Sequence, residues 1–283
     1  PPPSPPPTPE HHTHAHPPKN HPEQGKTPHV LQFFYWQQRD PMIILSAGMP
    51  RAGSGWYYNL TNDVCVAAGY QNGREIRSRY HLGSILTEVN CNIGSLTAKR
   101  LLPVLVPSLL GNTFVIKAHA GPTPFAMRLV RYGWMLPTYI YRDPRDAMLS
   151  AYEYGQRGTR AGRPNAFSHL TDFGKSLEFI TNYCRVWEQW MACKQALHTR
   201  YERLKSDYDR EADRLVRFLA LQRDDPAIHS SVERHRPERA SQDQVGSHFS
   251  VGTSGRFREM YSDAEQTIIQ DKLGSYLELM GYE

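Results

Sequence analysis

Three short stretches of this chain carry side chains suited to handling a small anion. In PRAGSGW, residues 50–56, the cation Arg51 enters a turn of small residues, Ala52 to Gly55, followed by Trp56. Gly53 and Gly55 let the backbone approach an oxyanion closely. The stretch lacks the Gly-Lys-Ser/Thr ending that reaches a γ-phosphate and Mg²⁺. In TFVIKAHAGP, residues 113–122, Lys117 and His119 stand two apart. A neutral imidazole titrating near neutrality suits general-base work, although a lone histidine at a strand end also serves structural roles. In YIYRDPRDAMLSAYEY, residues 139–154, Arg142 and Ser150 lie eight residues apart. A fixed guanidinium and a helix hydroxyl can clamp one phosphate together; a surface ion pair is the plainer alternative for Arg142.

Each of these groups needs an element to hold it. The apolar run Met42–Leu45 predicts a buried strand, the turn Pro50–Gly55 follows, and a helix runs from about Trp56 to Ala68. Strand, small-residue loop and helix is the geometry in which backbone N–H groups and a helix N-terminus face an anion. A second strand over 113–122 leaves Lys117 and His119 at its C-terminal end, and PFAMRLVRYG reads as a short helix closed by Gly133. A third strand, Thr138–Tyr141, leads into a helix with Asp143 as N-cap and Pro144 as first helical residue. Strands alternating with helices predict an α/β fold, a central parallel sheet flanked by helices with ligands at the strand C-termini. Residues 155–174 lack periodicity and read as a loop beside the site. A long amphipathic helix is expected over 176–197, with Phe179, Tyr183, Val186, Trp187 and Trp190 on its core face. Two more follow, over 209–221 and over 262–282 with Ser262 as cap.

The composition fits one such domain over residues 39–283. At 283 residues, 39% hydrophobic and 22% charged, the chain is an ordinary globular one apart from its start. The first thirty or so residues are Pro/His-rich with almost nothing apolar to bury, and residues 1–38 are accordingly expected to be a disordered tail or linker. His11, His12, His14 and His16 within it read as solvated, because fixed metal ligands need a folded surround. Cys65, Cys91, Cys184 and Cys193 contain no C-x-x-C pair and read as reduced buried thiols. No compact Cys/His or carboxylate set argues for a metal. The most apolar stretch, LLPVLVPSLL at 101–110, is broken by Pro103 and Pro107 and is too short to span a membrane. With no apolar signal segment in the tail, a cytoplasmic location is expected. The net charge of +5 suits an anionic partner. The arginines are spread along the chain, which points to a phosphate-rich small ligand and not to nucleic acid.

Together the motifs resemble those of the sulfotransferase superfamily that uses 3′-phosphoadenosine-5′-phosphosulfate (PAPS), in its soluble, cytosolic-type, bacterial-like form. PRAGSGW resembles the family's 5′-phosphosulfate loop P-K-S-G-T-T-W, with Pro50, Gly53 and Trp56 in register. YIYRDPRDAMLSAYEY is similar to its 3′-phosphate signature, and FVIKAHAGP to its strand ending in K-x-H. RYERLKSDYDRE resembles Y-E-D-L-x-x-D-P and places Tyr201 at the adenine. HFSVGTSGRFREMYS is similar to R-K-G-x-x-G-D-W-K, with Gly252 and Gly255 aligned and Phe257 replacing the tryptophan. The resemblance implies a single P-loop-like domain, PAPS as donor and 3′-phosphoadenosine-5′-phosphate (PAP) as product, with in-line transfer and no metal. His119 would be the general base, with Arg51 and Lys117 stabilising charge. Arg51, Ala52, Gly53, Ser54, Gly55, Trp56, Arg142, Ser150, Tyr201, Ser250, Val251 and Gly252 would surround the nucleotide. The acceptor, a hydroxyl or amine of a small molecule, lipid or sugar, would be shaped by loops over 70–107 and 155–170. In and beside them the aromatic and basic residues include Tyr80, His81, Tyr152, Tyr154 and Arg157. Two departures stand out. Arg51 replaces a common lysine, and Ser250 and Val251 stand where the family has Arg-Lys, with Arg256 or Arg258 as nearby substitutes. A P-loop nucleoside or small-molecule kinase is one alternative, which would need Mg²⁺ and a loop lysine. A non-catalytic module holding PAP or an anionic glycan is the other alternative.

Overall fold

The computed structural model describes residues 1–4, 43–239 and 253–283. Met42, the histidines of the tail, and Ser250, Val251 and Gly252 lie outside the described residues. Every helix and strand described falls in the unit Arg39–Glu283.

The apolar run after position 42 forms β1 (Ile43–Gly48), buried at all six positions. It is flanked by β2 (Phe114–Ala118) and β3 (Met135–Tyr141), and β4 (Leu197–Arg200) borders β3. All three pairings are parallel, in the order β2-β1-β3-β4. Parallel strands covered on both faces explain why β1 and β2 read as continuous apolar runs. Parallel pairing also requires long crossovers. Between β1 and β2 run α1 (Ser54–Ala67), α2 (Gly73–Arg79) and α3 (Ala98–Leu109). Helix α4 (Pro124–Arg131) links β2 to β3, and α5 (Pro144–Arg160) with α6 (Phe173–Met191) links β3 to β4. Then follow α7 (Tyr201–Ser206), α8 (Tyr208–Phe218), α9 (Pro226–Arg234), α10 (Phe257–Met260) and α11 (Asp263–Met280). The class is the expected α/β, with a parallel sheet flanked by helices.

Local chemistry sets several ends. Asp143 caps α5 by accepting from the Arg145 N–H at 2.9 Å, with Pro144 in the first turn. The same carboxylate holds the buried Arg145 guanidinium at 2.8 Å. Ser262 and Glu265 close a capping box on α11. On α6, Trp187 and Trp190 are buried and Phe179, Tyr183 and Val186 pack half-buried against the core. The four cysteines are free and buried.

Several elements depart from expectation. β1 continues past Leu45 to Gly48, and α1 starts at Ser54, two residues early. α5 runs on to Arg160, through residues expected to be loop. Gly155 makes this possible: a Cβ there would sit 2.2 Å from the Phe167 carbonyl oxygen, so the following chain packs directly on the helix. α3 forms across Pro103 and Pro107 because Leu101, Val104 and Leu105 are buried, which offsets the lost backbone bonds. α6 stops at Met191, and Leu197, expected at a helix end, begins β4. Among the described residues no helix is long and apolar enough to cross a membrane.

Candidate functional site

All four strands deliver chemistry at their C-terminal ends, and these ends open on one cleft of about 400 Å³. β1 leads into the 49–53 turn, β2 presents Lys117 and then His119, β3 is followed by Arg142, and β4 by Tyr201. This is the position in which an open parallel sheet binds ligands.

The turn after β1 is conformationally unusual. Arg51 and Gly53 both take left-handed backbone angles, φ 63° and 74°. At Gly53 a side chain has no room, since a Cβ would lie 2.7 Å from the Tyr201 ring. α1 starts here without a side-chain cap, its first backbone bond running from the Tyr57 N–H to Gly53 O at 3.0 Å. Gly53, Ser54, Gly55 and Trp56 line the cleft, so the positive end of the helix is turned toward it. Ala52 is wholly buried beneath the turn, and its side chain does not line the cleft.

Arg51 reaches the opposite wall. Its Nε donates to Ser150 Oγ at 3.2 Å, and its guanidinium lies 4.5 Å over the Tyr154 ring. Burial, with the neighbouring Arg157 and Arg142 adding to it against Tyr154, lowers its pKa to about 10, so it remains charged at neutral pH. Arg142 is buried on the same side. Its Nη2 donates to Thr253 O at 2.9 Å and lies 3.5 Å from Asp146 Oδ2. Arg142 Nε is buried without a hydrogen bond inside the protein. The 50–56 turn and the Arg142–Ser150 pair therefore share one cavity.

Lys117 and His119 form a tight pair. His119 Nδ1 lies 2.7 Å from Gly48 O, and Nε2 lies 2.8 Å from Lys117 Nζ. A carbonyl can only accept, so Nδ1 carries the hydrogen and Nε2 presents its lone pair to the lysine. Burial, then the Lys117 charge, push the imidazole pKa down to about 3. Burial and Arg51 bring Lys117 down to about 7. The expectation of an imidazole titrating near neutrality is thus corrected. The ring stays neutral, and the lysine beside it is the group poised at neutral pH.

Trp56 is 2% exposed and firmly held. Its ring stacks on Tyr208 with centroids 6.1 Å apart and meets Tyr201 edge-on at 6.3 Å. Its Nε1 donates to His235 O at 2.8 Å, and Tyr208 donates to Val232 O at 2.7 Å, both acceptors at the end of α9. Of the two nearby arginines, Arg256 makes a two-pronged pair with Glu153 at 2.6 and 3.0 Å. Arg258 packs on Phe257, and neither lines the cleft.

Residues without motif signal complete the lining: Thr87, Asn90 and Asn92 from the loop before α3, and Asn165, Ala166 and Phe167 after α5. Tyr154 also lines it, whereas Tyr80, His81, Tyr152 and Arg157 do not. The spacing could have singled Tyr154 out, because it follows Ser150 by four residues on one helix face. Among the described residues no group of three or more His, Cys, Asp or Glu is placed to hold a metal.

The sulfotransferase domain family matches residues 138–268, which include Arg142, Ser150 and Tyr201 but not the 50–56 turn or the Lys117–His119 pair. Among solved structures, retinol dehydratase in complex with retinol and PAP is 17% identical with a TM-score of 0.53, covering 84% of this chain and 82% of that one. A mouse sulfotransferase complexed with PAP is 12% identical, also with a TM-score of 0.53, covering 85% of each chain. At these identities the likeness is one of fold. No curated protein matches in sequence.

Proposed function

We propose that the chain is a PAPS-dependent sulfotransferase and that its cleft carries sulfuryl transfer from PAPS to an acceptor hydroxyl or amine, a reading supported by the sulfotransferase domain match over residues 138–268. One observation carries the assignment of residues: the 50–56 turn, the Lys117–His119 pair and the Arg142–Ser150 pair open on a single cavity. The lining fits a doubly phosphorylated adenosine. Arg51, Lys117 and Arg142 contribute cations, no described carboxylate lines the cleft, and the buried Arg142 Nε has a hydrogen bond still to give.

The donor supplies an activated sulfuryl group. Around it, Arg142 and Ser150 bind the 3′-phosphate, while the α1 N-terminus and Arg51 face the 5′-phosphosulfate. Trp56 and Tyr201 bound the adenine. His119 holds its hydrogen at Nδ1, fixed by Gly48 O, and takes the acceptor proton at Nε2. Once Lys117 turns its charge to the donor, Nε2 is released for that proton. An O–S bond forms at the acceptor as the bridging S–O bond to phosphate breaks, and Lys117 and Arg51 stabilise the charge left there. Arg51 holds its proton too firmly to serve as an acid, so proton traffic falls to the histidine and lysine. A kinase would need a lysine in the 50–56 turn, and a passive binder has no use for a neutral His–Lys pair.

Thermal-shift measurements test the donor reading: PAP should stabilise the protein and ATP–Mg²⁺ should not. His119→Ala should lose transfer while keeping PAP affinity. Near-normal turnover in that variant would remove His119 as the base.

A further inference from the structure

The cleft has a second wall whose chemistry bears on the acceptor. It is contributed by the 87–92 loop on one side and by Tyr154, Asn165 and Phe167 on the other.

The 87–92 loop is tied to itself and then to the sheet. The Thr87 N–H donates to Asn92 O at 3.1 Å, the Asn92 N–H to Thr87 Oγ1 at 3.0 Å, and the Thr87 hydroxyl to Asn90 Oδ1 at 3.2 Å. Cys91, at a left-handed φ of 48°, turns the chain so that its carbonyl accepts from the Lys117 N–H at 3.1 Å. Ile93 returns the bond to Lys117 O at 2.9 Å. Asn92 is thereby bridged in register to Lys117, beside the His–Lys pair. Its side-chain Oδ1 is buried and accepts no hydrogen bond from the protein. A buried acceptor left so is costly, and a donor arriving with a ligand relieves it.

The other side offers aromatic surface. Phe167 sits edge-on to Tyr154 with centroids 5.8 Å apart. Asn165 fixes that pair by donating to Tyr154 O and accepting from the Phe167 N–H, each at 2.9 Å. Among the described residues lining the cleft, Ala166 is the one aliphatic side chain, and there is no carboxylate.

Each acceptor class makes a different demand. A sterol or polyene needs an aliphatic slot, and an ammonium needs a carboxylate to offset its desolvation. A sugar ring needs amides and hydroxyls for its edge and aromatic surface for its C–H face. Building on the sulfotransferase reading above, we infer that the acceptor is an uncharged or anionic sugar or cyclic polyol, sulfated on a hydroxyl, with Asn92 Oδ1 accepting from the neighbouring hydroxyl. The reacting hydroxyl gains the O–S bond, its proton goes to His119, and the bridging S–O bond to the nucleotide breaks.

The full chain, with radiolabelled PAPS, is offered methyl glucoside, methyl galactoside, myo-inositol, 4-nitrophenol, a sterol and hexylamine, with PAP calorimetry run in parallel. Label is expected in a glycoside or in inositol. Asn92→Leu should then raise the KM for that acceptor at least tenfold, with PAP affinity and the donor KM unchanged. Phe167→Leu, which removes the aromatic face, should do the same and serves if the first variant does not fold. If PAP binds but label goes to phenol, sterol or amine, or to none of the sugars, the inference is overturned and the donor reading stands. An unchanged acceptor KM in both variants also overturns it. Failure of PAP to bind overturns the underlying reading instead.

Discussion

Loading the cleft with an anion should place a proton on Lys117. Burial and Arg51 hold this lysine down to about 7, so ~0.25 of the molecules carry the charge at pH 7.5. An oxyanion at close range raises such a pKa by ~1–3 units, which brings the protonated fraction to ~0.75–1. PAP binding is then expected to take up ~0.5–0.75 of a proton at pH 7.5, and only ~0.1 at pH 6, where the lysine is already charged. The complex holds more protons than the free protein, so affinity falls as pH rises, by ~0.5–0.75 log units per pH unit near 7.5. His119, down at about 3, is neutral in the free protein at these pH values and takes little part. Calorimetry in two buffers of different ionisation enthalpy reads the uptake directly, and Lys117→Met should remove it. Equal heats in the two buffers, net proton release, or an uptake that survives Lys117→Met would refute the reasoning.

Arg142→Ala removes a buried guanidinium whose Nε makes no hydrogen bond within the protein and, in the proposed reading, donates to the 3′-phosphate. Hydrogen bonds to charged groups contribute ~1.5–3 kcal/mol, so PAP should bind ~10–150-fold more weakly; unchanged calorimetric affinity counts against the assignment. Gly53→Ala puts a Cβ 2.7 Å from the Tyr201 ring at a left-handed φ and should cost ~1–3 kcal/mol. A wild-type urea midpoint would contradict that. Asp143→Ala loses the α5 cap and strands the buried Arg145, an expected loss of ~3–5 kcal/mol. Asp143→Asn keeps the cap acceptor and should lose less in the same unfolding assay.

The parts of the fold that were legible in the sequence are those where one residue fixes one geometry. Tyr141, Asp143 and Pro144 mark a strand end, a cap and a first helical turn, and α5 starts there. The eight-residue step from Arg142 to Ser150 could be read because both ends sit on such fixed points. Where tertiary contacts overrule local preference, the sequence misleads. Pro103 and Pro107 argue against the helix that buried Leu101, Val104 and Leu105 nonetheless enforce. Gly155 looks like a loop residue and instead lets the 167 carbonyl lie against a continuing helix. β4 is four residues long with no apolar run, too short to carry a pattern. The neutrality of His119 depends on its burial and on the charge of Lys117, and its tautomer on the Gly48 carbonyl, none of which a one-dimensional string can place.

The indole of residue 56 is anchored from outside the sheet. Its ring nitrogen and its stacking partner both fasten to carbonyls at the end of α9, far along the chain. Damage to that distant helix would tilt one wall of the cleft while the four strand ends kept their places. If Trp56 bounds the adenine as proposed, a lesion near Val232 or His235 should therefore blur discrimination between bases well before it unfolds the protein.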